Sequence, residues 1–188
     1  MNPIILALIL TLGLAQGADQ VDQTNEPVWI KDPSLGGKHP WSAVGTAKVD
    51  DRDLGLIFKE AGDQARAKIA GKFNLGILKV FKSWGASGGM DIGENAMVNA
   101  SLLYQEVLKP IIKNEIQQSP AREYHVRFEE ERLFVVVMLR NDGLKQIRVS
   151  IKSGVRSGLS SHFTSAAAVE QAFRTFDALI DREFATSD

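Results

Sequence analysis

The clearest hydrophobic pattern in the chain lies in residues 54–73, where apolar side chains recur every three or four positions. This spacing predicts an α-helix with one buried face, because side chains three and four apart share a face. Asp51 or Asp53 is placed to cap the helix, since a short carboxylate accepts hydrogen bonds from first-turn N–H groups. The apolar face consists of Leu54, Ile57, Phe58, Ala61, Ala65, Ile69 and Phe73.

A short β-prone segment, residues 41–49, leads into this helix. The helix end is predicted at residues 74–76, because Asn and Gly accept the left-handed conformation of a helix terminus. Residues 77–84 alternate incompletely and fit either a strand or a continuation of the helix, and continuation is favoured. Small side chains on the helix predict that it lies close to a sheet; they are Ala61, Ala65 and Ala70.

Three later segments show strand patterns. Residues 122–128 alternate, residues 133–139 form an apolar run typical of a central strand, and residues 146–152 alternate again through Ile147, Val149 and Ile151. Asn-Asp-Gly at 141–143 predicts a hairpin turn, because these residues adopt positive φ at low cost. With residues 41–49, these segments predict an antiparallel sheet of about four strands.

Further helices are predicted around these strands. Residues 94–108 carry a helical stripe of Ala96, Ala100, Leu103 and Val107, and Pro110 is expected to end or kink that helix. Residues 111–118 are interpreted as extended. The glycine- and serine-rich residues 153–161 predict a loop.

A last helix is predicted after Thr164 or Ser165, either of which can cap it. The sum is an α+β fold, an antiparallel sheet of about four strands with two to three helices packed on one face. The stripe of the last helix is Val169, Ala172, Phe173, Phe176, Leu179, Ile180 and Phe184.

The N-terminal region predicts secretion. Residues 4–15 form an apolar run of about twelve residues, shorter than the roughly 20 that span a bilayer, and small residues favour cleavage after Gly17. No Lys or Arg precedes the run, so a buried strand or an uncleaved anchor stays open. We expect a signal peptide at 1–17, an irregular arm at 18–40 that Trp29 could dock on the domain, and a single domain at 41–188.

Composition excludes several functions. The 188 residues carry a net charge of -1, which argues against a general nucleic-acid binder because phosphates require a basic face. The chain has no cysteine, so disulfides, thiolate chemistry and lipidation on cysteine are excluded. The hydrophobic fraction of 44% is enough for a packed core.

Ser87 lies in a glycine-flanked segment, 84–89, that superficially resembles the nucleophile segment of a secreted protease. A serine nucleophile needs a histidine base and an orienting carboxylate nearby. The histidines are His39, His125 and His162, but His39 lies in the predicted arm and His125 lies on the polar face of a strand. A flexible loop is therefore the favoured interpretation of residues 85–93.

Metal and cofactor chemistry finds little support in the sequence. The three histidines are far apart, and residues 129–131 (Glu-Glu-Glu) lack the spaced oxygen ligands of a calcium loop, so a solvated turn is favoured. The sequon at 99–101 lies inside a predicted amphipathic helix. No catalytic, cofactor-binding or metal-binding residue is assigned.

Several features occur in a recognisable order. Pro27 and Trp29 form a Pro-x-Trp after the predicted signal peptide, an Ala-Val-Gly-Thr-Ala segment (43–47) and an alanine-rich helix follow, and a hairpin with an acidic turn at 129–131 comes later. Over residues 27–140 this arrangement resembles the LPP-twenty family of bacterial envelope proteins, which includes the flagellar protein FlgP. Most members are lipoproteins anchored through a cysteine, which this chain lacks.

The resemblance implies a secreted, non-enzymatic domain in the periplasm or at the outer membrane, peripheral to the membrane at most. In flagellar members it implies building or supporting rings around the motor. Self-association or binding to other envelope proteins is expected. The alternative, a periplasmic binding module for a small ligand or cell-wall fragment, is motivated by the loop at 85–93 and by Trp84, and a hydrolase using Ser87 is the third hypothesis.

Overall fold

The computed structural model of the chain describes residues 26–87, 102–127, 130–159 and 166–185. The predicted signal peptide, the loop from residue 88 onward, most of the helix at 94–108 and the capping residues 164 and 165 lie outside these ranges. The elements in chain order are α1 (Val28–Lys31), β1 (Ser42–Lys48), α2 (Leu54–Ala86), a π-helical turn (Tyr104–Leu108), α3 (Lys109–Gln117), β2 (Ala121–Arg127), β3 (Arg132–Met138), α4 (Asn141–Leu159) and α5 (Ala166–Glu183).

The described strands form one antiparallel sheet in the order β1-β3-β2. The predictions of an α+β fold, of a strand around 122–128 and of a central strand around 133–139 are confirmed. Val135 in the centre pairs with Gly45 of β1 and with Tyr124 of β2. The described sheet has three strands rather than about four, and five α-helices replace the expected two to three.

The fourth strand, predicted for residues 146–152, is wrong because this segment lies inside α4. Ile147 and Ile151 are buried, but Val149 between them is 54% exposed, which fits a helix and not a strand. The predicted hairpin turn at 141–143 is the first turn of the same helix. The buried side chains of α4 recur at helical spacing, which favours the helix over a strand; they are Leu144, Ile147, Ile151, Val155 and Leu159.

Helix α2 starts as predicted, and the side chain of Asp53 accepts a hydrogen bond from the backbone N–H of Leu56. The predicted stop at 74–76 is wrong, and the continuation through 77–84 is confirmed. Gly76 faces α5 so closely that a Cβ there would lie 2.9 Å from the ring of Phe184. This contact gives the glycine a packing role, which offsets its cost of about 1 kcal/mol within a helix.

The extended segment predicted for 111–118 is also wrong, because residues Lys109–Gln117 form α3. Pro110 is the second residue of α3, which directly follows the π-helical turn, so the proline does not end the helical run, which continues from Tyr104 to Gln117. The π-helical turn just before α3 inserts an extra residue, so Leu108 is buried and Val107, predicted as buried, is exposed.

The loop predicted for 153–161 is helical as far as Leu159. Its glycines face the segment before α3 and allow close approach. A Cβ at Gly158 would lie 2.4 Å from the side chain of Leu103, and one at Gly154 would lie 3.2 Å from Leu108.

The main core lies between the sheet and α2, with α3, α4 and α5 packed beyond α2. The stripe predicted for α5 is confirmed, since Phe173, Phe176, Ile180 and Phe184 are almost completely buried. The small side chains of α2 do allow close contact with the sheet, because Ala61 and Ala65 are fully buried against β1.

The opposite face of the sheet is covered by the arm. Trp29 of α1 is only 5% exposed and belongs to a second buried cluster with Val44, Phe134 and Val136. The prediction that Trp29 docks the arm on the domain is confirmed. The helices therefore do not all lie on one face of the sheet.

Candidate interaction surface

The free edge of β1 is capped by side chains from α2. The ammonium group of Lys72 donates to the backbone carbonyl of Ser42, and that of Lys68 donates to the backbone carbonyl of Val44. Both donor–acceptor distances are 2.7 Å. The side-chain carbonyl of Gln64 accepts from the N–H of Thr46 over 3.3 Å. Burial lowers the pKa of Lys72, although the charge of Asp32 opposes this shift.

This capping follows from matched spacings. The capping side chains are four residues apart on the helix, about 6 Å along its axis, and the capped groups are two residues apart on the strand, about 7 Å. An exposed strand edge invites pairing with another chain, and charged side chains are one way in which proteins prevent it. The β1 edge is thus closed to further strands.

The outer edge of β2 is different. Alternate residues of an antiparallel strand direct their N–H and C=O groups to opposite sides. The bond from the N–H of Leu139 to the carbonyl of Trp41 shows that the odd-numbered residues of β3 face β1. Even-numbered Phe134 therefore faces His125 of β2, and the backbone groups of Tyr124 and Val126 point outward. Within the described residues no strand pairs with this edge.

The side chains at this edge differ between the two faces of the sheet. On the helix-covered face, Tyr124 packs edge-on against Phe58 with ring centroids 5.0 Å apart, yet stays 43% exposed. On the arm-covered face lie Glu123, His125 and Arg127, whose β3 partners by register are Val136, Phe134 and Arg132. The edge therefore combines an apolar side with a charged side.

Arg127 connects β2 to the arm. Its guanidinium pairs with Glu26, the first described residue of the arm, donates to Glu130 at a distance of 2.6 Å and lies 5.0 Å from the ring centroid of Phe134. Hydrogen bonding to Lys31, together with the charge of Arg127, lowers the pKa of Glu26. Burial and the nearby Arg127 charge lower the pKa of His125, against the opposing charge of Glu26.

A groove of about 500 Å³ lies between α2 and α3. Its lining includes Lys59, Asp63, Arg66 and Lys113. Asp63 pairs with Lys59 over 2.7 Å and with Arg66 over 3.2 Å, and its pKa is lowered, chiefly by the hydrogen bond from Lys59. Arg66 also donates to the carbonyl of Ser119. Three cations against one carboxylate make this groove suited to an anionic ligand.

The structure separates Ser87 from two of the histidines. The Ser87 hydroxyl donates to the carbonyl of Trp84 over 2.8 Å at the end of α2. His39 precedes Pro40, whose carbonyl accepts a hydrogen bond from Lys72. Lys72 lies 15 residues before Ser87 on α2, about 22 Å along the helix axis. His125 follows Tyr124, whose partner Phe58 lies a further 20 Å or so back. His162 lies outside the described residues.

Trp84 does not support the binding-module hypothesis. That hypothesis needs Trp84 to be an exposed aromatic, but its side chain is fully buried and its Nε1 donates to the carbonyl of Ala172 at a distance of 2.9 Å. The groove between α2 and α3 is not lined by residues 85–87, the part of the predicted loop that the structure describes. Those residues therefore give no support for a ligand site at the loop.

The acidic turn is solvated where it is described. Glu130 pairs with Arg127, and Glu131 lies 3.5 Å from Lys48. In the part of the chain that the structure covers, no three His, Asp or Glu side chains are grouped so as to hold a metal ion. None of the described helices is long and apolar enough to cross a membrane.

Sequence reasoning did not find the asymmetry between the two sheet edges or the basic groove. Gln64, Lys68 and Lys72 are spaced four residues apart in the sequence, but that spacing does not show which strand lies beside the helix. Comparison with known proteins adds nothing to the site: no protein-family model matches the chain, and a search of curated proteins found no significant match.

Proposed function

We propose that the chain is a non-enzymatic structural or interaction protein of the bacterial cell envelope. The resemblance to the LPP-twenty family narrows the proposal to a component that builds or supports a flagellar ring or assists motility. The predicted signal peptide supports a location in the periplasm, and the outer membrane is the expected place of association.

The observation that carries the proposal is the pair of unequal sheet edges. One edge is closed by Lys68 and Lys72, whereas at the other no described residue pairs with the backbone of Tyr124 and Val126, which lies beside an aromatic side chain. Open edges favour pairing with another chain, which is the property an assembly component needs.

The test begins with cell fractionation of a tagged full-length chain in the bacterium that encodes it. We expect the chain in the periplasmic or outer-membrane fraction, and we expect its deletion to reduce motility or envelope integrity. Cross-linking in cells followed by mass spectrometry should then recover a stable partner or a second copy. A cytoplasmic location, or a deletion that changes neither property, would contradict the proposal.

The second candidate function is a periplasmic binding module for a small anionic ligand or cell-wall fragment. The groove favours it, because Lys59, Arg66 and Lys113 line a concave site with only one carboxylate. A ligand at 100 times its Kd stabilises the folded state by about 2.7 kcal/mol, which raises Tm by roughly 5–10 °C.

This candidate is tested by the melting temperature of the protein with inorganic phosphate and with a soluble anionic cell-wall fragment. Lys113→Ala should reduce the shift, whereas Lys82→Ala, on an exposed part of α2, should not. An unchanged Tm with both probes would eliminate this candidate.

A further inference from the structure

We propose that β2 pairs with β2 of a second copy of this chain, antiparallel and around a two-fold axis at His125. The inference rests on the proposed interaction role and specifies its surface. The starting point is the backbone of Tyr124 and Val126, which faces away from β3 and receives no hydrogen bond from the described residues.

The two-fold axis at His125 satisfies these backbone groups. It places Tyr124 of one copy opposite Val126 of the other, so each pair exchanges two hydrogen bonds, about four in total. The aromatic and β-branched side chains then meet across the strands, a favourable cross-strand combination. The side chains of Tyr124 and Val126 both lie on the helix-covered face, where the Tyr124 ring packs against Phe58.

Charge selects this register over its neighbours. With the axis at His125, Glu123 of each copy lies opposite Arg127 of the other, which makes two opposite-charge pairs. An axis at Glu123 or at Arg127 would set like charges against each other. An axis at Tyr124 would set Glu123 opposite His125, and an axis at Val126 would set Arg127 opposite His125, so neither register pairs a carboxylate with a guanidinium.

Arg127 has N–H donors left for the contact with Glu123 of the second copy. Its guanidinium has five N–H donors, and its two terminal nitrogens donate to Glu26 and Glu130. The remaining hydrogens can reach a carboxylate on the neighbouring strand. The arm thereby holds Arg127 in place for the second copy.

The capped edge of β1 limits the assembly. Pairing through β2 produces a sheet of six strands, three from each copy, and both outer edges are then closed by Lys68 and Lys72. An isologous contact of this type makes a closed dimer and not a filament. A ring would need a second, different contact surface on the dimer.

The test uses the absence of cysteine from the natural sequence. In the proposed dimer, residue 125 lies opposite itself in a non-hydrogen-bonded pair, with Cα atoms about 4.5 Å apart, within disulfide range. His125→Cys should therefore cross-link to a covalent dimer under mild oxidation. Glu123→Cys is the matched control on the same face, and its Cα atoms would be about 14 Å apart, too far to bridge.

A second measurement covers the case in which a cysteine variant misfolds. Light scattering of the full-length chain over a concentration series gives the dimer dissociation constant, expected in the micromolar range because the interface is small. Val126→Pro removes an outward N–H without breaking the β2–β3 ladder, and should weaken the dimer roughly tenfold or more.

Charge variants test the register itself. Glu123→Arg and Arg127→Glu should each weaken self-association, but their mixture should restore a heterodimer because both contacts again join opposite charges. Glu106→Arg makes the same change in charge on an exposed position away from β2, and should leave the dimer unchanged.

Three results would overturn the inference. They are a monomer at all concentrations, cross-linking of Glu123→Cys in preference to His125→Cys, and failure of the mixed charge variants to associate. A monomer that is found in the envelope and binds a recovered partner would contradict the dimer but not the proposed function. The β2 edge would then be available to an extended segment of that partner.

Discussion

Gly45 is the position where one added methyl group should do most damage. A Cβ at this residue of β1 would lie 1.8 Å from the carbonyl oxygen of Ala61 and 2.6 Å from the backbone nitrogen of Ala65. Both atoms belong to the backbone of α2, so no side-chain rotation can relieve the contact. Gly45→Ala must therefore move the helix or the strand.

The size of the effect follows from that movement. A carbon and an oxygen that are not bonded normally stay at least about 3 Å apart, so α2 must shift by more than about 1 Å. Such a shift also weakens the hydrogen bonds that Lys68 and Lys72 donate to β1. Overpacking usually costs about 1–3 kcal/mol, and we expect the upper end, about 3 kcal/mol, or more.

Gly71 of α2 supplies the matched control. The same substitution there meets nothing within 4 Å, and the residue lies inside the helix. Replacing a helical glycine with alanine stabilises a protein by about 0.5–1 kcal/mol, because the unfolded chain loses conformational freedom. The two Gly→Ala changes should therefore have opposite signs.

Thermal unfolding followed by far-UV circular dichroism measures both variants. For a chain of this size, 1 kcal/mol shifts Tm by about 2–4 °C, so Gly45→Ala should unfold at least about 6 °C below the wild type. Gly71→Ala should unfold about 1–4 °C above it. A Gly45→Ala variant with the wild-type Tm would refute the close packing of α2 on β1.

Three further predictions concern single contacts. Lys68→Met leaves the carbonyl of Val44 without its ammonium partner and should cost about 1 kcal/mol in urea unfolding. Trp84→Phe removes the indole hydrogen bond to the carbonyl of Ala172, which keeps its place in the α5 backbone ladder, and opens space in the core, so it should cost about 2 kcal/mol. The pKa of Glu26 is lowered from its usual 4.5, so its stabilising effect is present above pH 4.5 and is lost as the pH falls through its lower folded value. The difference in unfolding free energy between wild type and Glu26→Gln should accordingly shrink below pH 4.5.

Each of these predictions has a result that would contradict it. Lys82→Met changes an exposed lysine of the same helix, and equal losses from both lysine variants would argue against edge capping. A Trp84→Phe variant as stable as the wild type would mean that its indole hydrogen bond contributes nothing. A Glu26 effect independent of pH between 3 and 7 would exclude its ion pairs as the cause.

Glycine was the residue that sequence reasoning most often misjudged. Gly76, Gly154 and Gly158 were interpreted as helix ends or loop, yet each lies inside a helix against a large side chain of another element. The sequence shows that these positions have no side chain. It does not show which neighbour fills the space, so the same residue fits a turn or a close helix contact.

The segment at 146–152 was ambiguous for a related reason. Ile147 and Ile151 satisfy both a strand and a helix, since their spacing of four is a multiple of two and also one helical turn. Only Val149 distinguishes the two, and its exposure depends on what surrounds α4. The packing of α4 against α3 and α5 decides in favour of the helix.

By itself the sequence determined the elements whose pattern is local. Asp53 caps α2, the apolar run that includes Val135 forms the central strand, and the stripe ending at Phe184 forms α5, because in each the residues that specify the structure are adjacent in the chain. Tertiary structure alone decided the edges of the sheet. Lys68 closes the β1 edge, and no described strand pairs with the β2 edge; both facts depend on which helix lies beside which strand, an arrangement that brings together residues far apart in the sequence.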